Sequence, residues 1–160
     1  MTRIAAPVDV VAAYLSAPQR MPEWDTELCE RGQELRQLNP DAVLGHLEYY
    51  GETALGMTVV SPRNLVLLTV RARAPCGAIL VASTSVPDAL GPPPAKGSVR
   101  ANLVSGGGVV KAVAGNPGLC DVFFMTQVDF GGSLPKSIVA MVAKTSPLAL
   151  AVARKILEKK

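Results

Sequence analysis

The run Gln127-Val128-Asp129-Phe130-Gly131-Gly132-Ser133-Leu134-Pro135-Lys136-Ser137-Ile138-Val139 decides the reading of the chain, because a polar strand end passes there through a glycine turn into a long apolar helix. Gly131 and Gly132 supply the backbone freedom of a tight turn, and Pro135 suits the first helical position, where its missing N–H leaves no intrahelical bond unmade. Beyond it, Ile138, Val139, Val142, Ala143, Ala149, Leu150, Val152, Ala153, Ile156 and Leu157 recur three and four apart, which predicts a helix with a wide apolar arc. Pro147 interrupts the pattern and Ser146 can cap a restarted helix, so a kink or short break is expected there. A helix this apolar needs something to cover. The segments upstream read as short strands, and the expected partner is the concave face of an antiparallel sheet.

Working outward, 160 residues suit a single domain over 1–160 with a substantial core. Apolar residues make up 49% and aromatics only 4%, so Val, Leu, Ala and Met fill the interior and leave room for internal space. No apolar run approaches the roughly 20 residues that span a bilayer, and no basic segment precedes an apolar one at the N-terminus. The formal charge is +3, with Arg154, Lys155, Lys159 and Lys160 crowding the C-terminus against Glu158 alone. This is a cationic cap on the helix dipole, or else a contact for anionic lipid headgroups. A nucleic-acid partner is not expected, for want of a dense basic stripe with interleaved aromatics. Cys29, Cys76 and Cys120 are odd in number and form no CxxC pair, which excludes a zinc cage built on cysteine pairs. Unpaired thiols suit a reducing compartment, and the cytoplasm is the expected location.

Taken in order, Pro7 to Leu15 predicts a first helix with Val8, Val11, Ala12 and Leu15 on one face, ending at Pro18. Arg20 to Asp25 forms a compact turn around Trp24, the one tryptophan, as a packing anchor. Thr26 to Leu38 reads as a solvent-facing strand, Asn39-Pro40-Asp41 as a turn, Val43 to Tyr50 as a strand, and Met57 to Val60 as a further extended piece after Gly51 and Gly56. The strongest strand, Leu65 to Arg73, opens at Ser61-Pro62-Arg63-Asn64 and pairs through Ala74-Pro75-Cys76-Gly77 with Ala78 to Val86 as a hairpin. Pro87 to Gly97 is a stiff surface loop. Ser98 to Val104, Val109 to Ala114 and Leu119 to Phe130 are expected as the last three strands, divided at Gly106-Gly107-Gly108 and at Gly115 to Gly118. The whole is an α+β arrangement in which a curved antiparallel sheet grips one helix.

No catalytic constellation stands out. The glycine triplet before Lys111 lacks the GK[ST] ending of a phosphate loop, and His46 has no recognisable Ser or Cys partner. Asp25, Asp121 and Asp129 sit beside turns and strand ends, where capping explains them. What remains is an apolar strand face carrying Thr69 and Arg71, Ser83 and Ser85, Asn102 and Gln127. If these turn inward, a few convergent polar groups in an apolar cavity suit a lipid with one polar end. The other reading leaves Arg71 and Gln127 at strand ends in water, and both stay open.

Together these residues resemble the START family, the lipid-transfer domains related to the steroidogenic acute regulatory protein. Arg20 to Asp25 resembles the family's R-x-x-x-W-D turn, Ser61 to Asn64 its S-x-R-D strand opening, Ser98-Val99-Arg100-Ala101 its v-R-a strand, and Asp129 to Val139 the glycine pair, L-P-K-S and helix of the steroidogenic subgroup. The resemblance implies a helix-grip fold with one lipid held between the sheet and the C-terminal helix, and a function of binding and moving a sterol, phospholipid or sphingolipid rather than catalysis. It implies no cofactor and no metal, a lipid ligand and transient contact with a membrane surface as partners, and peripheral association with membranes. It also implies a gate made of Pro135 to Leu157 and of the turn Arg73 to Gly77. The expected lining is then Arg63, Thr69, Arg71, Ser83, Ser85, Asn102, Met125, Gln127, Val139 and Val142, with Arg71 the preferred polar anchor.

The sequence also departs from the family. Asn64 stands where an aspartate is usual, which removes a carboxylate partner for Arg63. Thr69 stands where sterol-transfer relatives carry a buried arginine, unless Arg71 serves two residues on, so sterol specificity is not inherited. The family's opening helix and strands are missing apart from a remainder at Arg3 to Ala5, which predicts a shortened N-terminal part. Two other classes stay open: a cyclase or hydrolase, favoured by a cavity-facing His46 or a reactive cysteine, and a regulatory or protein-interaction module without a transported ligand. The sequence leaves the oligomeric state undetermined.

Overall fold

The computed structural model describes residues 1–54, 57–132, 134 and 136–159, with the backbone alone at 53, 54, 57–59, 136–138 and 140–147. The elements in chain order are β1 (Thr2–Ile4), α1 (Val8–Ser16), a 3-10 turn (Pro18–Arg20), α2 (Met21–Trp24), β2 (Cys29–Asn39), β3 (Ala42–Tyr49), β4 (Glu52–Ala54) and β5 (Met57–Val60). They continue with β6 (Arg63–Arg73), β7 (Ile79–Ser85), a second 3-10 turn (Asp88–Leu90), β8 (Val99–Arg100), β9 (Asn102–Val113), β10 (Asn116–Asp129) and α3 (Lys136–Leu157). The curved main sheet runs β1-β10-β9-β7-β6-β3-β2, all antiparallel, while β8 lies parallel to the start of β6 and β4 pairs with β5 in a small separate ribbon.

Side-chain alternation gives this sheet two unlike faces. On the inner face, Ile79, Val81, Val110, Cys120 and Val122 join Ile4, the α1 residues Val8, Val11, Ala12 and Leu15, and the C-terminal half of α3 through Ala149, Leu150, Ala153 and Leu157. The spacing of those four α3 residues keeps them on one stripe of the helix, and each buried Leu contributes about 1.5–3 kcal/mol. Towards the other end of the same face, Leu47, Leu65, Leu67, Cys29, Ala101 and Leu103 form a second cluster, with Met21, Tyr49 and Val128 against it. Trp24, 3% exposed, meets Phe124 edge to face with ring centroids 6.2 Å apart, and so ties α2 to β10.

Two expectations are corrected. The glycine triplet is not a turn between strands: β9 runs unbroken from Asn102 to Val113, and β8 is a separate two-residue piece beside β6. Neighbouring backbones crowd the triplet, since a Cβ on Gly107 would stand 1.9 Å from the Val81 carbonyl oxygen and one on Gly108 2.0 Å from that of Phe123. Of the kink or short break expected at Pro147, the break does not occur, as Lys136–Leu157 is one helix of 22 residues. Its C-terminal half is held by core burial, which offsets the hydrogen bond a mid-helix proline removes. The turn before α3 is built as read, with Gly131 and Gly132 at φ 62° and 65°. The expected N1 role of Pro135 lies outside the described residues.

Candidate functional site

The inner face of β3, β6, β7 and β9 carries the polar groups that the cavity reading needs. Register sets Thr69 opposite Val43 on one side and Ser83 on the other, with Ser83 opposite Gly106 and then Thr126 of β10. The Thr69 and Ser83 hydroxyls lie 2.8 Å apart in a hydrogen bond, and Thr69 is only 4% exposed. Ser85, one rung along and opposite Leu67, accepts a hydrogen bond of 2.8 Å from the Leu103 amide. Apolar Leu65, Leu67 and Leu103 surround these hydroxyls. Ser83 and Ser85 are half-buried and Thr126 is exposed, although all three lie on the inward face.

Arg71 occupies the next inner rung, opposite Val81. Its guanidinium donates to the Pro40 carbonyl and stands 3.6 Å from the Asp41 carboxylate. With Thr69 and Val43 it lines a cleft of about 110 Å³ beneath the end of α1. That volume holds a small polar group, not a whole lipid. Arg63, 8% exposed, donates from Nε to the Phe130 carbonyl and from Nη2 to the Gly131 carbonyl, both at 3.3 Å, and from Nη1 to Ser61. It therefore clasps the turn that launches α3. The missing carboxylate at Asn64 is replaced by carbonyl acceptors, while the Asn64 amide donates to Ser98 Oγ at 2.8 Å.

The fold thus gathers Thr69, Arg71, Ser83, Ser85 and Arg63 on the inner face, and it does not gather the rest. Met125 and Gln127 pair with Gly107 and Ser105 and point to the outer face, exposed, as does Asn102 opposite Asp129. Val139 is 41% exposed, and the side chain of Val142 lies outside the described residues. Phe124, Thr126 and Val128 take the inward positions on β10 instead. Sequence reasoning missed them because β10 is apolar on both faces around Phe123 to Met125, so alternation has no contrast to show.

At the Arg63 end, Asp25, which the sequence places as a capping residue, and Tyr49, which it places only in a strand, add polar groups beside the inner face. Burial, with Glu27 nearby, pushes the Asp25 carboxyl up to about 6, and burial raises the Tyr49 hydroxyl well above its usual range. Burial also pushes the Cys29 thiol up to about 12 and raises that of Cys120, which keeps both as poor nucleophiles. His46, its pKa lowered chiefly by burial, pairs with Val66 on the outer face, away from the Thr69–Ser83 hydroxyls. Among the described residues no group of three His, Cys, Asp or Glu side chains could hold a metal ion. No described helix is long and apolar enough to cross a membrane.

A curved antiparallel sheet closed on a C-terminal helix, with isolated hydroxyls on its inner face, defines the helix-grip class. The chain belongs to the START domain family, whose model matches residues 2–157. Solved structures of similar fold include human StAR-related lipid transfer protein 5, at 18% identity and a TM-score of 0.81, covering 98% of this chain and 73% of that one. Human STARD10 aligns at 21% identity and a TM-score of 0.74 over 96% of this chain and 60% of its own. A STAR-related lipid transfer protein fragment from Xanthomonas axonopodis aligns at 22% identity and 0.75, covering 98% and 82%. No curated protein sequence matches the chain.

Proposed function

We propose that this chain, as one domain over 1–160, binds a single lipid between the inner sheet face and α3 and carries it between membrane surfaces. The observation that carries the reading is the inner face itself: half-buried and exposed hydroxyls at Ser83, Ser85 and Thr126 sit among buried Leu65, Leu67 and Leu103. A lipid buried there gains roughly 25 cal/mol per Å² of apolar area, and its polar end meets the Thr69–Ser83 pair. Arg71 lies behind that pair, its charge already engaged by Asp41 and the Pro40 carbonyl. Family membership and the lipid-transfer relatives support the same reading. The gate is α3 together with the Arg73–Gly77 turn, and Arg63 holds the turn that launches the helix. Exposed Arg154, Lys155 and Lys159 supply the attraction to an anionic membrane during exchange.

The double variant Thr69→Val with Ser83→Ala tests the polar anchor. Removing both partners of one hydrogen bond leaves no orphan, so stability changes little, whereas a polar-headed lipid loses about 1 kcal/mol or more. Titration with fluorescent phospholipid and sterol analogues should show a drop of roughly fivefold or more for at least one analogue. Unchanged affinity for every analogue that binds the parent would refute this placement of the headgroup.

A further inference from the structure

The outer face of the sheet takes no part in the ligand site, yet it is apolar where water is expected. One rung across four strands reads Val70, Ala82, Gly107 and Met125, and the next reads Ala72, Leu80, Val109 and Phe123, each set in register from β6 to β10. Val70, Leu80, Phe123 and Met125 are 37%, 43%, 51% and 56% exposed. Four large side chains showing about half their surface make a contiguous apolar area on the order of 400 Å², at a scale that marks interaction sites. Between them Gly106, Gly107 and Gly108 leave a depression walled by Phe123, Met125 and Val109.

We propose that this face is the interface of a two-fold dimer of the chain. The two rungs are complementary to each other, which is what an isologous contact requires. A two-fold axis running across the strands between the rungs lays Val109 over the partner's Gly107, Leu80 over the partner's Ala82, and Val70 over the partner's Ala72. Phe123 falls on the partner's Met125, a favourable sulfur–aromatic contact, and each contact occurs twice. The next rungs outward hold Lys111 and Asp121 on one side, Ser105 and Gln127 on the other. The same axis sets Lys111 against the partner's Ser105 and Asp121 against the partner's Gln127, so like charges do not meet and the rim is polar. A standard interface buries about 800 Å² per partner, a little over half of it apolar, and these rungs supply about that apolar share. The sheet curves away on either side, which limits contact to these rungs and the polar rim beside them and sets a reversible dimer in roughly the micromolar range. Because this face lies opposite the hydroxyl pair, the dimer is independent of the ligand reading.

Sedimentation velocity across about three decades of concentration around 10 µM tests it. The parent should pass from monomer to dimer, while Phe123→Asp with Met125→Asp, and separately Leu80→Lys on another strand, should raise the midpoint at least about 30-fold with unchanged circular dichroism. These residues are exposed, and two variants on different strands guard against one failing to fold. A parent that stays monomeric throughout, or charge variants that dimerise like the parent, would overturn the proposal. A monomeric parent that cosediments with phosphatidylcholine–phosphatidylserine vesicles and loses that binding on Leu80→Lys would overturn it in favour of a lipid surface.

Discussion

Replacing Arg63 with alanine should loosen the start of α3 before it loosens anything else. The guanidinium is buried and donates to three carbonyls, two of them, Phe130 and Gly131, on the turn into the helix. A hydrogen bond from a charged donor contributes about 1.5–3 kcal/mol, less at 3.3 Å and where water can replace the donor, so the three together come to about 2–4 kcal/mol. For a domain of this length each kcal/mol moves the melting temperature by about 2–4 °C, which predicts a fall of roughly 4–16 °C. Hydrogen exchange adds the location: the amides of the turn and the first turns of α3 should lose protection, while those of β9 and of the core half of α3 keep theirs. Arg63→Lys should recover less than half of the loss, since a single ammonium cannot fork to three acceptors. A fall below about 2 °C, or a loss of protection spread evenly over the sheet, would refute the clasp.

Two further outcomes follow from particular residues. Asp25 has a carboxyl raised from 3.8 to about 6 by burial, so the folded state holds a proton that the unfolded state releases, and its charging opposes the fold as pH rises between those values. Asp25→Asn should therefore stabilise the domain above pH 6 by up to about 2–3 kcal/mol and leave it unchanged near pH 3.5; a parent whose stability does not fall across that window in urea titrations contradicts the burial. Gly107→Ala forces a Cβ against the Val81 carbonyl at φ 129° and should cost more than about 3 kcal/mol, whereas Gly77→Ala, at φ 82° with open space around it, should cost about 1; equal costs in denaturant titrations would show that crowding does not fix the triplet.

The architecture was legible wherever one residue type has one use. The β6–β7 hairpin, the exposed edge strand β2, the glycine turn and the terminal helix all follow from turn chemistry and single-sided alternation. The site was legible only in part. Thr69, Ser83 and Ser85 share a face because β6 and β7 are joined by a short turn that fixes their register. Met125 and Gln127, expected on that face, lie on the other, because β10 carries apolar side chains on both. The glycine triplet misled for a related reason: glycine marks a turn in sequence, but here it serves close approach of two neighbouring strands, visible only once they are paired. Asp25 reads in sequence as a turn cap and Tyr49 as an ordinary strand residue, since their altered acidity comes from burial between segments distant in the chain.

Whether the inner face holds one lipid is read by native mass spectrometry of protein expressed in a lipid-rich eukaryotic host, with extraction and identification of whatever is bound. A single lipid should be bound per chain, with its adduct mass replaced by that of a competing lipid when one is added. A bare polypeptide mass that persists after exposure to both sterols and phospholipids would contradict it.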